Sequence, residues 1–389
     1  MDNIKKHFQY FIENWPDKNE YVIFGAGLWF ERLYPYVKKW LKIKYIVDNN
    51  PKKQGTEKFG AKIVSFNHLI NDPDKPQVLY AVPYAPYLDL EKNNIVNCSF
   101  YRWAQFIKLY KENKILILRS DFIITTKCVF NCQKCVALTP YLKNKSHREI
   151  DILIKEIDIF FSHVDLTAEI TLIGGEPLLH PDIPEIIQYI CSNFRNKIGH
   201  LLIITTGIVP INTELLDVCI NNRDFIRFSI SDYGNDYKKA EEFITVLKNK
   251  NIIHYYSDFR KSFDEKEWTW VDFGSPLTKR NRTFNKNKEL FKDCTWNCNV
   301  GYFHNSKLYP CHQSASFAKI NPELDDGFLL NYNDKQTSYD AIESYQNILS
   351  CDFKLQPFLN ACEYCDGMGH SNKKKVQPGI QVTSKSKIQ

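Results

Sequence analysis

The sequence predicts an α/β protein whose main body is a parallel sheet, open or curled into part of a barrel, with a small α/β unit before it and a small cysteine-rich module after it. Three observations carry that prediction. Apolar strand-like runs alternate with helical patterns from about Ile115 to Asp258, and a strand, glycine turn, helix, strand, acid series lies near the start. Most of the 12 cysteines gather into two clusters. A length of 389 residues suits two or three domains with sizeable cores.

Taking the elements in order, Tyr21 to Phe24 reads as a short buried strand. Gly25-Ala26-Gly27 follows, then a helical pattern from Leu28 to Leu41, a second strand from Lys44 to Val47 and the acid Asp48. This is the order of a mononucleotide-binding βαβ unit, although Phe30 stands where a third glycine would be. Two readings stand side by side. Gly25 and Gly27 admit a phosphate while Asp48 takes a ribose hydroxyl, or the glycines only make a tight turn in a structural domain.

The later alternation predicts strands at 115–124, 169–173, 201–205, 225–230 and 252–256. Helices are expected between them at 148–162, 183–194, 212–221 and 237–248. Beyond Asp258 the regularity fades into aromatic-rich loops around Trp268 and Trp270, for which core packing is the expected role.

Composition narrows the function classes. A chain with 43% hydrophobic and 25% charged residues is neither disordered nor collagen-like. The richest apolar stretch, 115–126, is broken by Arg119, Ser120 and Asp121, so no membrane span is expected. Met1-Asp2-Asn3-Ile4-Lys5-Lys6 lacks a hydrophobic signal core, which predicts a cytoplasmic protein with reduced thiols. The balance of 51 basic against 45 acidic residues leaves +6, too mild to call for nucleic acid.

Cys128, Cys132 and Cys135 form a C-x3-C-x2-C loop directly after a predicted strand. Three thiolates on one short loop suit three irons of a [4Fe–4S] cluster and leave a fourth iron open to a chelating small molecule. Zinc is the competing reading, but its structural sites usually pair two knuckles into four ligands. Further polar or glycine clusters end the next strands: Gly174-Gly175-Glu176-Pro177, Thr205-Thr206-Gly207 and Ser231-Asp232-Tyr233-Gly234. Ligands bind at that end of parallel strands.

With these motifs in this order, the stretch from about Ile115 to Asp258 resembles the radical S-adenosylmethionine superfamily. The resemblance implies a partial (β/α)6 barrel of the TIM type. It implies S-adenosylmethionine on the open iron, with Gly174, Gly175, Glu176, Pro177, Thr205, Thr206, Ser229 and Ser231 as its contacts and Glu176 placed for the amine. Thr205-Thr206-Gly207 stands where many members have Thr-Asn-Gly. The implied chemistry is reductive cleavage to a 5′-deoxyadenosyl radical, fed by an electron donor such as flavodoxin or ferredoxin. Residues 1–110 likewise resemble the Rossmann-like amino-terminal domains of bacterial sugar-modifying enzymes, where the pattern Asp48-Asn49-Asn50-Pro51-Lys52 recurs.

Cys294, Cys298, Cys311, Cys362 and Cys365 form the second cluster, around a hairpin expected at 300–311. It resembles the SPASM and twitch auxiliary modules of the same superfamily, the short twitch form fitting better. That implies a second, auxiliary [4Fe–4S] cluster on Cys311, Cys362 and Cys365, with Cys294 favoured over Cys298 as the fourth ligand and Cys298 then a spare thiol or a structural residue. A zinc ribbon is the competing reading. Ser306 replaces the usual hairpin glycine and is expected to loosen the turn. Cys98, Cys191, Cys219 and Cys351 are read as core or surface thiols, and His180 and His312 as structural histidines.

The expected organisation is thus a Rossmann-like unit over 1–110, the partial barrel over 111–260, the auxiliary module over 261–370 and a flexible tail over 371–389. The expected function is hydrogen abstraction from a sugar or nucleotide sugar in bacterial glycan biosynthesis, giving oxidation, epimerisation or dehydration. Modification of a ribosomal peptide and a non-catalytic iron–sulfur sensor or scaffold are the alternatives.

Overall fold

A computed structural model describes residues 20–82, 87–234, 237–259, 270–294, 301–349, 358–369 and 371–382. The chain packs as two compact units, Met1–Leu118 with Val164–Ala168, and Arg119–His163 with Glu169–Gln389. Trp268, Cys298 and Cys351 lie outside the described residues.

In the first unit six strands, β1 (Tyr21–Phe24), β2 (Ile43–Val47), β3 (Glu57–Lys58), β4 (Ala61–Val64), β5 (Val78–Tyr80) and β6 (Asn97–Ser99), lie in the order β3-β4-β2-β1-β5-β6. All neighbours are parallel except β3 with β4. The five parallel strands, numbered along the chain, run 3-2-1-4-5, the order of a doubly wound sheet. Every residue of β1 is buried, as a central parallel strand covered on both faces requires.

Helix α1 (Leu28–Val37) contains Pro35 and ends short of the expected Leu41. Phe30 on it is fully buried among Tyr34, Phe59 and Phe100, with ring centroids 5.6, 5.3 and 5.4 Å away. Aromatic packing therefore fills the space that a third glycine would leave open.

Asp48 supports the glycine turn, as the structural one of the two readings expects. Its Oδ2 accepts the Ala26 N–H at 3.0 Å and the Lys53 ammonium at 2.9 Å, while Oδ1 accepts the Asn50 N–H at 2.8 Å. Burial works to raise its carboxyl, but these donors prevail and hold it below the usual carboxylate range. Asp48 thereby ties the glycine turn to the loop after β2.

Helices α2 (Phe66–Ile70), α3 (Tyr87–Lys92) and α4 (Phe100–Glu112) complete the first unit. The second unit then alternates β7 (Leu116–Thr125), α5 (Ile150–His163), β8 (Leu166–Gly174), α6 (Ile183–Phe194), β9 (Ile198–Thr205), α7 (Thr213–Asn221), β10 (Ile226–Asp232), α8 (Tyr237–Asn249) and β11 (Ile253–Asp258). Five strands lie in sequential order, β11-β10-β9-β8-β7, as in a (β/α) barrel left open.

The helices form where the pattern predicts. Helix α6 buries Ile183, Ile186, Ile187 and Ile190 at helical spacing, and Asn212 Oδ1 caps α7 through the Leu215 N–H at 2.8 Å. On β7, Phe122 packs against Phe160 of α5, and on β10 Phe228 packs against Phe243 of α8. By strand alternation Arg119, Asp121 and Thr125, and likewise Arg227, Ser229 and Ser231, take the opposite, inner face. There a buried polar chain links Asp121 to Arg119 at 2.6 Å, Arg119 to Glu169 at 3.2 Å and Glu169 to His200 at 2.5 Å.

After α9 (Phe284–Asp293), the hairpin of β12 (Gly301–His304) and β13 (Lys307–Tyr309) extends the same sheet, with β12 parallel to β7. Its turn is not loosened. His304 pairs with Lys307 across a two-residue loop in which Asn305 and Ser306 take φ 52° and 56°. Both central residues are left-handed, the form that suits the twist of a hairpin, and serine adopts it in place of glycine. Helix α10 (His312–Ile320), strand β14 (Phe328–Leu329) and helix α11 (Lys335–Leu349) follow.

The flexible tail is also corrected over its described part. The Asp272 N–H donates to Lys374 O at 2.7 Å and the Val376 N–H to Trp270 O at 3.2 Å, after which the chain reaches the first cysteine loop. Its polar composition hides this docking, because the contacts are made largely by backbone groups.

Two cysteine clusters at the strand ends

The first cysteine loop is held shut at its base. The Thr126 N–H donates to Ser146 O at 2.9 Å, the Ser146 N–H returns to Thr126 Oγ1 at 2.9 Å, and Thr125 Oγ1 contacts His147 Nδ1 at 3.0 Å. Within it the Cys135 N–H reaches Cys132 O at 3.2 Å, and the Phe130 N–H donates to Cys128 Sγ at 3.4 Å. The sulfurs of Cys128, Cys132 and Cys135 lie close enough that their charges act on one another. As free thiols, burial pushes Cys128 up to about 12 and Cys132 up to about 11. Metal ligation requires thiolates, so a bound cation would have to displace those protons.

Gly174 and Gly175 lie directly against this loop's root. The Gly175 N–H donates to Thr125 O at 3.1 Å and the Glu176 N–H to Lys127 O at 2.8 Å. A Cβ would fall 2.1 Å from Thr125 O at Gly174 and 2.2 Å from Lys127 O at Gly175. The close approach these glycines permit is therefore to the backbone that carries the cysteines.

The Glu176 side chain is engaged within the chain. It is fully buried and accepts from the Leu178 N–H at 3.2 Å and from the Thr206 N–H and hydroxyl at 2.8 and 2.7 Å. The Thr205 hydroxyl adds a fourth interaction. A carboxylate has about four lone-pair sites, and here they are taken by the chain itself. Burial raises its pKa despite these donors. Glu176 thus ties the end of β8 to the end of β9, and Pro177 opens the short 3-10 turn that follows.

Ser229 and Ser231 share the inner face of β10, half-buried, with the Ser231 hydroxyl bonded to Tyr233. Tyr233 was not assigned from sequence beyond its motif. It sits near all three cysteines, stacks on Phe259 at 5.3 Å, and meets Trp270 at 5.7 Å and Phe130 at 6.3 Å. These rings form an apolar wall beside the loop.

The second cluster assembles from three separate segments. Cys294 ends α9, Cys311 precedes α10, and Cys362 and Cys365 lie on and after the 3-10 turn Asn360–Tyr364. Their charges act on one another across all four positions. Arg282 clamps the knuckle, donating to Cys362 O at 2.6 Å, Cys365 O at 2.7 Å and Asp366 Oδ1 at 3.0 Å. Asp326 caps the turn by accepting the Asn360 and Ala361 N–H groups at 2.8 and 3.0 Å. The Gly367 N–H donates to Cys365 Sγ at 3.3 Å. Sequence reading missed Arg282 and Asp326, which lie 80 residues from Cys362 and 34 from Asn360.

Among the described residues, no three or more His, Cys, Asp or Glu side chains are placed to hold one metal ion. A cubane makes a different demand, since each thiolate binds its own iron. Three cysteines on one loop and four gathered from the later segments, with N–H donors on Cys128, Cys132 and Cys365, fit that donor chemistry.

His180 accepts the Asp182 N–H at Nδ1 (3.2 Å) and contacts Arg148 O through Nε2 at 2.9 Å, a satisfied structural histidine. His312 stacks on Tyr302 at 4.7 Å. Cys98, Cys191 and Cys219, like the seven clustered cysteines, form no disulfide. No helix among the described residues is long and apolar enough to cross a membrane.

Residues 122–263, the segment that carries the first cysteine loop and the strand-end motifs, match the family model described as the Radical SAM superfamily. Enzymes of that family bind a [4Fe–4S] cluster and S-adenosylmethionine. The chain is 33% identical over 82 residues to the antilisterial bacteriocin subtilosin biosynthesis protein AlbA of Bacillus subtilis (strain 168), covering 20% of this chain and 17% of that protein. The chain therefore spans about a sixth of the length of this relative. Among solved structures it is similar to BtrN in complex with AdoMet and 2-DOIA, at 12% identity and TM-score 0.43, covering 69% of this chain and all of that one. It is also similar to Streptococcus suis SuiB bound to precursor peptide SuiA, at 14% identity and TM-score 0.35, covering 77% and 82%.

Proposed function

We propose that this chain is a radical S-adenosylmethionine enzyme that abstracts hydrogen from an alcohol carbon of a sugar or nucleotide sugar, leading to oxidation, epimerisation or dehydration. The observation that carries the reading is the first cysteine loop at the end of β7, backed by Gly174, Gly175 and the Glu176 tie between β8 and β9. Cys128, Cys132 and Cys135 would hold the first cluster. Cys294, Cys311, Cys362 and Cys365 would hold the auxiliary one, and a flavodoxin or ferredoxin would supply the electron. When bound, the first cluster and S-adenosylmethionine supply a 5′-deoxyadenosyl radical by one-electron cleavage of the sulfonium.

The chain's own part is placement and exclusion of water. Backbone around Gly174 to Pro177 and the half-buried Ser229 line the inner face near the cysteines. With the Glu176 carboxylate saturated, the amine of S-adenosylmethionine falls to backbone acceptors in this reading. Phe130, Tyr233, Phe259 and Trp270 shield one side. Four protein ligands on the auxiliary cluster would leave no iron open for substrate, which suits it to accepting an electron from a substrate radical.

Reduced protein given S-adenosylmethionine should release 5′-deoxyadenosine, and Cys132→Ala should not. Equal yields from both would refute the reading. Iron should number about eight per chain and fall to about four in Cys362→Ala. Four irons with one zinc in the wild type would remove the auxiliary cluster.

Peptide maturation is the second reading, favoured by the likeness to AlbA, whose name places it in bacteriocin biosynthesis. Thermal stabilisation of the anaerobic protein by nucleotide sugars, and not by peptides, separates the two.

A further inference from the structure

We propose that Gln381 tunes the first cluster: its side-chain amide donates an N–H to Cys132 Sγ and makes a cluster held there easier to reduce. The inference rests on the proposed use of the first cysteine loop. Gln381 lies 249 residues from Cys132, and the chain between 371 and 382 returns to lay a short strap beside the loop. Three backbone contacts seat it. The Gln133 N–H donates to Ile380 O at 2.8 Å, the Val382 N–H to Asn131 O at 2.8 Å, and Cys132 and Gln381 face each other in an antiparallel bridge.

The orientation of the amide is fixed by its neighbours. The Asn131 N–H points at Gln381 at 2.6 Å and demands an acceptor, so Oε1 must lie there. Nε2 is then left to donate one hydrogen to Gly379 O at 2.7 Å and the other to Cys132 Sγ at 3.2 Å. Gly379, at φ +74°, lets the strap lie flat, since a Cβ there would stand 2.6 Å from Tyr233 Cβ. Cys132 is the most enclosed of the three cysteines, 7% exposed, so its sulfur would exchange few bonds with water. A donor aimed at a cluster sulfur stabilises negative charge, and the reduced cluster carries one more.

The strap's backbone bonds do not depend on this amide hydrogen, so the donor can be removed alone. Gln381→Glu keeps an acceptor for the Asn131 N–H and loses the donor, and Gln381→Ala loses both. The readout is a redox titration followed by electron paramagnetic resonance, on the signal that changes when S-adenosylmethionine is added. In both variants, at wild-type iron content, the reduction equilibrium should fall by up to about tenfold, which is about 59 mV for one electron. The fall should be larger for glutamate, which places a negative charge beside the sulfur.

An unchanged midpoint in iron-replete variants overturns the inference. Should the variants lose the cluster, the wild type still decides. Protein labelled with 15N-glutamine must show a 15N coupling to the reduced cluster, and its absence overturns the inference equally. A wild type with no more iron than Cys128→Ala overturns the functional reading as well, so the two failures are distinguishable.

Discussion

Glu176 and His304 each face donors that demand an acceptor. Replacing Glu176 by glutamine turns an acceptor into an N–H that faces the Thr206 N–H or the Leu178 N–H, both now 2.8–3.2 Å from an oxygen. The expected cost is about 1–3 kcal/mol, read from the urea midpoint. His304 is different because its charge depends on pH. Arg148 donates to its Nδ1 at 2.7 Å, which requires a lone pair there. Burial, with Lys319 and Arg148 nearby, holds it down to about 2. Its folded pKa lies below the unfolded value of about 6.5, so its share of stability is complete above that pH and drains as pH falls towards 2. The urea midpoint should therefore decline between pH 7.5 and 5, and His304→Asn, whose Oδ1 replaces the acceptor, should flatten that decline. An identical slope in the variant would contradict this account.

At the scale of elements, the two cysteine sites are braced differently. The first loop is held by backbone against backbone, so Gly174→Ala, with its Cβ 2.1 Å from Thr125 O, should displace the loop root. We expect a loss of about 3 kcal/mol or more together with the iron of the first site, measured by denaturation and metal analysis. The second knuckle is braced by a side chain. Arg282→Ala removes four bonds, two of them to the Cys362 and Cys365 carbonyls, and should lower stability by about 2–4 kcal/mol. Iron loss should be confined to the second site. Loss of the first cluster's signal in Arg282→Ala would show that the two sites are not braced separately.

The whole molecule divides into two compact units, each with its own buried core. Calorimetry should resolve two unfolding transitions, and Phe30→Ala should lower only the one belonging to the first unit. A cost of about 3–5 kcal/mol is expected for that truncation, since Phe30 is fully buried. A single transition that shifts as a whole would contradict this. The βα series and the hairpin were legible in the sequence because each follows from local pattern: alternation and turn residues. Helix α6 begins and ends where its isoleucine spacing says, and the expected hairpin differs from β12 and β13 only at its ends.

Local pattern by itself thus marked out the chemically distinctive residues: three cysteines on one loop, further cysteines beyond Asp258, and the polar clusters at strand ends. What only the tertiary structure decided is where each acceptor and donor is spent. Asp48 is committed to the Ala26 N–H and Lys53, and Glu176 to Thr206 and Leu178. Arg282 holds carbonyls 80 residues away, and Gln381 reaches a sulfur 249 residues away. Hydrogen bonding is short-ranged in space and indifferent to sequence separation, so the residues that tune these sites leave no spacing to read.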